Sequence, residues 1–222
     1  MSSQADRNLD RAAALTSLFQ QASQCQLCPR LARKNAIIGP QNGALASRVM
    51  FVAEAPGRLG ADKFRIPLHG DATGRNFEWL LTNAGFSRND IFVTNAVLCN
   101  PLDPNGRNAP PTLAEIKNCS SYLKAQIELI NPTLLVTLGA VALKSVATLY
   151  GLCLTLSVHH RQPIPLGHTT LIPLFHPSPR VINTRRSRAH QLQDFRFIKQ
   201  LLTLKARTSD ATSPSQSAAH RP

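Results

Sequence analysis

Four short runs of apolar, largely β-branched or aromatic residues, with helical stretches between them, constrain this chain more than any other feature of its sequence. The runs are VMFVAEA (49–55), IFVTNAV (91–97), TLLVTLG (133–139) and TTLIPLFH (169–176). Each reads as a strand covered on both faces, since a half-exposed strand would alternate apolar with polar residues. The spacing of apolar positions predicts helices over 8–22, 74–85, 111–130, 140–150 and 187–205. Thr112 with Glu115 forms a capping-box pattern behind a proline pair, which marks where the longest of the internal helices begins. Strands alternating with helices build a parallel sheet, and right-handed crossovers then bring every strand's carboxyl end to one edge. The expected fold is α/β: a three-layer α/β/α arrangement around a central four-stranded, largely parallel sheet. One domain over 1–205, led by a helix, is expected, with 206–222 as a disordered tail rich in Ser, Ala, Thr and Pro.

Charge narrows the partners. Lys and Arg number 25 against 12 Asp and Glu, a formal net charge of +13. Such an excess favours polyanions, because each neutralised phosphate releases counterions. The stretch 133–158 is long and apolar, but Gly139, Lys144 and Gly151 divide it into a strand, a turn and a packed helix. No membrane span is expected. The first 24 residues carry mixed charge and no apolar export core, which places the chain in the reducing cytoplasm. There, Cys pairs at short spacing read as metal or cluster ligands before they read as disulfides. Of the five cysteines, Cys25 and Cys28 form C-x2-C, and Cys99 with Cys119 completes a four-thiol set. By pattern alone this set suits tetrahedral zinc or a [4Fe–4S] cluster equally. Cys153, in the apolar stretch LCLTL, reads as a core residue.

Ligands of such folds bind at the carboxyl edge of the sheet. The residues ending the strands there are Glu54-Ala55-Pro56-Gly57, Asn95, Gly139, and His176-Pro177-Ser178-Pro179-Arg180. Asn offers a donor and an acceptor to an amide-like ring edge. Histidine can stabilise a departing anion, and Gly57 allows close backbone approach. Glu54 either lines the pocket or ties down its turn through backbone N–H groups. Arg180, Arg185, Arg186 and Arg188 follow closely, where they could grip a phosphate backbone. The loop NPLDPNGRNAPPT (100–112) is expected to bulge at the surface, with Arg107 toward phosphate. His69 lies close to the expected pocket.

AEAPGRLGAD (53–62), IPLHGDATG (66–74), TNAVLCNP (94–101) and HPSPR (176–180) resemble the motifs of uracil-DNA glycosylases of the iron–sulfur branches, over about residues 20–200. EAPG looks like the branch known as family 4, whereas the loop length and Asp62 look closer to family 5. The resemblance implies a four-stranded, largely parallel sheet between helices and hydrolysis of the N-glycosidic bond of uracil extruded from DNA. It implies that Glu54, Ala55, Pro56 and Gly57 line the uracil pocket, that Asp62 activates or positions water, and that Asn95 reads the uracil edge. His176 would sit beside the uracil oxygen that gains charge, with Ser178, Pro179 and Arg180 against the DNA strand. It also tips the thiol set Cys25, Cys28, Cys99 and Cys119 toward a structural [4Fe–4S] cluster. The chain departs from the family at Leu68, where an aromatic ring usually stacks on the flipped base.

The expected function is thus a monofunctional DNA repair glycosylase acting on uracil in single- and double-stranded DNA, as a monomer. Two rivals stand beside it. One is a catalytically weak iron–sulfur nucleic-acid-binding protein of the same fold. The other is a zinc-stabilised hydrolase of small nucleosides, which the +13 charge disfavours.

Overall fold

A computed structural model describes residues 4–211. Helix α1 (Gln4–Ser23) leads through a thiol-bearing turn to strand β1 (Val49–Ala53). The chain continues through α2 (Ala61–Phe64), α3 (Ala72–Asn83), β2 (Ile91–Asn95), α4 (Leu113–Ile130), β3 (Leu134–Leu138) and α5 (Ala140–Leu149). It ends with α6 (Leu156–His159), β4 (Ile164–Leu166), β5 (Thr169–Leu174), α7 (Pro179–Thr184) and α8 (Arg188–Ala211).

The sheet has five strands in the order β2-β1-β3-β5-β4. The four expected strands all pair in parallel. The fifth, β4, is antiparallel to β5 and holds the edge. Its three residues include Pro165, which cannot donate to a ladder, so it carries too little pattern to be read from sequence. Along β1 the side chains alternate between two cores. Val49, Phe51 and Ala53 pack with Phe77, Leu80 and Leu81 of α3 and with Phe195 and Ile198 of α8. Met50 and Val52 pack on the other face with α1, α4 and α5 through Leu15, Leu123, Ile127 and Val146. Phe51 stacks on Phe195 at 5.5 Å and meets the edge of Phe77 at 5.3 Å. This double cover is what the uninterrupted apolar runs predict.

Helix α4 begins at the expected cap: Thr112 Oγ1 accepts from the Glu115 N–H, and a Glu115 carboxylate oxygen accepts from the Thr112 N–H at 2.8 Å. The segment 133–158 resolves into β3, α5 and a connection, and among the described residues no helix is long and apolar enough to cross a membrane. Helix α8 continues past the expected end to Ala211; the rest of the tail expected to be disordered lies outside the described residues. Cys153 is exposed rather than buried, because LCLTL is a surface connection after α5 whose apolar residues only partly pack.

One of the arginines expected to grip phosphate, Arg186, is committed to the fold. Arg186 donates to both carboxylate oxygens of Asp194 at 2.9 and 2.7 Å, and Asp194 is 1% exposed. His160 adds a contact to the same carboxylate at 3.2 Å. Arg188 lies over the Trp79 ring at 3.9 Å. The Asp194 hub ties α8 to the segment leading out of α7. Replacing Asp194 with Ala removes the anion of a buried pair, and is expected to cost about 3 kcal/mol of stability, read as a lower urea midpoint at unchanged m-value.

Candidate active site

The register of the sheet builds the site. Val52 pairs with Thr137 and Leu138 with Leu174, so the chain leaves β1, β3 and β5 at one level. Strand order turns in opposite directions from β1 toward β2 and toward β3, the place where an open α/β sheet leaves a crevice. A cleft of about 1090 Å³ opens there, walled by the Glu54–Gly57 turn, Leu68, Asp71, Gly139 and His176.

Each wall has a local cause. Gly139 adopts φ +99° at the start of α5, and a Cβ there would stand 3.4 Å from the His176 Cβ. That contact is an ordinary one, so it is the left-handed backbone leading from β3 into α5 that calls for glycine. Burial pushes the His176 imidazole down to about 4, and the Asp71 carboxylate pulls the other way. The ring is therefore neutral near pH 7, a hydrogen-bond donor rather than an acid. Asp71 caps α3 by accepting the Gly74 N–H at 2.8 Å through Oδ1. Its Oδ2 lies against Gly57 and Gly60, where any added Cβ would come within 2.7 Å. Burial raises the pKa of Glu54, which lines the cleft.

Ala55, Pro56, Gly57, Leu68 and His69 line the cleft with Glu54, and Leu68 takes a left-handed backbone, φ 50°. Ser178 lines it and caps α7, while Pro179 is the first residue of that helix. Arg180 and Arg185 reach the cleft rim; Arg186 does not, being held by Asp194. Asp62 is turned away. The single turn of α2 points its carboxylate to Lys34, 3.5 Å distant, and outside the cleft lining. The aspartate in the cleft, beside Glu54, is Asp71, nine positions further on and missed by the sequence reading, although Asp ahead of a helical run is an N-cap signal. Asn95, at the end of β2, is 1% exposed and, like Asp62, is not part of the cleft lining; its Nδ2 is buried without a hydrogen-bond partner among the described residues. Phe175, Asn100 and Asn108 also line the cleft and carry no sequence signal of their own.

The four paired thiols come together beside this cleft. Cys28, Cys99 and Cys119 share a small apolar cluster with Leu31, Ala36, Val97 and Leu98. Burial, and then the neighbouring Cys119, Cys25 and Cys28, push the Cys99 thiol up to about 12. Burial, with Cys28 and Cys25 beside it, pushes Cys119 up to about 11. Asn118 Nδ2 donates to Cys28 Sγ at 3.5 Å. No three His, Cys, Asp or Glu side chains among the described residues are arranged to hold a single metal ion.

Residues 40–200 match the pattern of the uracil DNA glycosylase superfamily. The chain is 38% identical over 161 residues to a type-4 uracil-DNA glycosylase of Thermotoga maritima, covering 72% of this chain and 79% of the relative. It is 32% identical to a type-4 uracil-DNA glycosylase of Saccharolobus solfataricus, covering 88% and 90%. A type-5 uracil-DNA glycosylase of Pyrobaculum aerophilum is 30% identical, covering 73% and 81%.

The depressed His176 pKa has a measurable sign. Between the ordinary value of 6.5 and about 4, the unfolded chain binds a proton at this site that the folded chain does not. Stability is therefore lost as pH falls through that window, and the loss levels off below it. A His176→Gln variant is expected to lose less stability than the wild type between pH 7 and pH 4, read by urea unfolding at each pH. Equal losses in the two proteins would show the imidazole titrating normally.

Proposed function

This chain belongs to the uracil-DNA glycosylase superfamily, and from that premise we propose that its cleft takes uracil extruded from DNA and hydrolyses the bond to deoxyribose, leaving an abasic site. The observation that carries the reading is that His176, Asp71 and the Glu54–Gly57 turn line one crevice at the carboxyl edge of the sheet.

Cleavage of the C1′–N1 bond sends its electron pair into the base, leaving an oxocarbenium-like sugar and a uracil anion. The His176 N–H donates a hydrogen bond to the base oxygen where that charge gathers, and being neutral it stabilises the base as an anion rather than protonating it. Asp71 takes over the role expected of Asp62. Its carboxylate orients water toward C1′, accepts the proton as the C–O bond forms, and favours the positive sugar before it. Asn95 is assigned to the uracil edge because its buried Nδ2 lacks an acceptor that a carbonyl of the base would provide. Phe175 brings an aromatic ring to a cleft whose Leu68 provides none. Lys144, Arg180 and Arg185 at the cleft rim face the phosphates of single- or double-stranded DNA. The cleft is complete within one chain, which supports action as a monomer.

The cofactor is proposed as a [4Fe–4S] cluster held by Cys25, Cys28, Cys99 and Cys119. Their fit rests on four thiols from three separated segments, with Cys99 and Cys119 desolvated at a cost that binding as thiolates to iron would offset. When bound, the cluster supplies a cross-link among those segments rather than a reacting centre. Thiolate ligation agrees with a cytoplasmic location, where such groups stay reduced.

Incubation with an oligonucleotide containing one uracil, followed by alkali, is expected to give a strand break at that site. His176→Ala is expected to lower single-turnover cleavage at least about a hundredfold without unfolding the protein. Asp71→Asn, which keeps the helix cap, is expected to lose about a hundredfold or more, whereas Asp62→Asn stays within about threefold. Equal losses for the two acids would reverse their assignment. Protein purified without oxygen is expected to be brown, with a broad thiolate-to-iron band that Cys99→Ala removes; a colourless protein with one zinc per chain would overturn the cluster.

A further inference from the structure

Loop 100–112 lies at the surface as expected, with Pro104, Asn105 and Arg107 exposed, but it is not irregular. It folds back as a narrow hairpin, with a bridge between Leu102 and Asn108 and a hydrogen bond from the Ala109 N–H to the Pro101 carbonyl at 3.0 Å. Asp103 sets its tip, since Oδ1 accepts from the N–H groups of Asn105 and Arg107 at 2.9 and 2.8 Å. One side of the hairpin is tied to the thiol-bearing turn: Arg30 donates to the carbonyls of Leu102 and Pro110, and grips Glu115 of α4 at 2.6 Å. The other side faces the pocket. Asn108 Oδ1 accepts from the Arg58 N–H at 2.9 Å and from Asn100 Nδ2 at 3.2 Å. Asn100, 0% exposed and next to Cys99, donates from the same Nδ2 to the Pro56 carbonyl at 2.5 Å.

Turn 56–58 belongs to no helix or strand, so these backbone groups find their partners in two side chains of the hairpin. We propose that Asn100 and Asn108 are positioning residues that set the shape of turn 56–58, and with it the base pocket, from the loop that carries Cys99. The proposal rests on the uracil reading only in what the pocket holds. Neither asparagine acts on the reacting atoms. Both act through the Pro56 carbonyl and the Arg58 N–H, on either side of the glycine against which Asp71 packs.

The test uses the full chain with Asn108→Ala, Asn100→Ala and the double variant. Asn108 is exposed, so its truncation leaves the core intact and serves even where Asn100→Ala fails to fold. Amide exchange over residues 54–62 is expected to quicken about tenfold in Asn108→Ala, with α4 exchange and the cluster absorbance unchanged. Single-turnover cleavage is expected to fall about tenfold while KM for DNA stays within twofold, and inhibition by free uracil is expected to weaken in parallel. The double variant is expected to match the worse single variant, because the two residues act as one bridge. Unchanged exchange in the turn, a change in KM alone, or losses that multiply would overturn the proposal. If the wild type released no uracil while the exchange still quickened, the uracil reading would fall and the positioning role would stand. If the wild type cleaved and exchange in the variant were unaltered, the uracil reading would stand and the positioning role would fall.

Discussion

The parallel register of β1, β3 and β5 is the constraint from which the site follows. Ala53, Leu138 and Leu174 end their strands at one level, and the residues next in sequence are Glu54, Gly139 and Phe175-His176. No long-range pairing between the functional residues themselves is needed to gather them. The ladder gathers them, and the ladder is held in turn by two apolar cores that grip alternate side chains of β1. A slip of one residue would exchange those two faces, so the packing that stabilises the sheet also fixes where the cleft residues emerge.

Within that frame, the cleft's electrostatics come from burial more than from pairing. Burial drives His176 toward its neutral form and Glu54 the same way, while Asp71 Oδ1 accepts the Gly74 N–H. A neutral imidazole donor and a carboxylate acceptor lining one cleft suit a reaction that separates charge between base and sugar. Gly57 and Gly60 make that arrangement possible, since a side chain on either would displace the Asp71 carboxylate.

The strands, the α4 cap and the edge residues Glu54 and His176 were legible in sequence because each depends on short-range pattern: apolar runs, a Thr-x-x-Glu box, and chain exits from strands. What escaped depends on direction. Asp62 and Asp71 are both acids after the first strand, and only the one-turn helix α2 decides that Asp62 faces Lys34 while Asp71 faces the cleft. Arg180 and Arg186 sit in one basic run, yet Arg186 is claimed by Asp194 of α8, a partner eight residues away whose burial no local pattern announces. Cys153 has the apolar neighbours of a core residue but lies on a connection, where burial is set by what passes over it. Asn108 looks like a loop residue and becomes a bridge only once the hairpin folds back.

The thiol cluster answers a weakness in this fold. The two main cores are built from strands and long helices, whereas the third apolar cluster is smaller, with Ala22, Leu31, Ala36, Val97 and Leu98 around Cys28 and Cys119, and comes from the end of α1 and the turn after it, the exit of β2 and the first half of α4. Such a cluster buries little apolar surface, and its chain segments are ordered without a strand of their own. A cross-link among Cys25, Cys28, Cys99 and Cys119 would hold these segments where burial alone is weak, much as a metal does in small domains. The same segments carry Arg30, Asn100 and the hairpin that meets turn 56–58. Holding the cluster region in place therefore also holds the wall of the cleft, which gives a cofactor outside the chemistry a physical route to the shape of the active site.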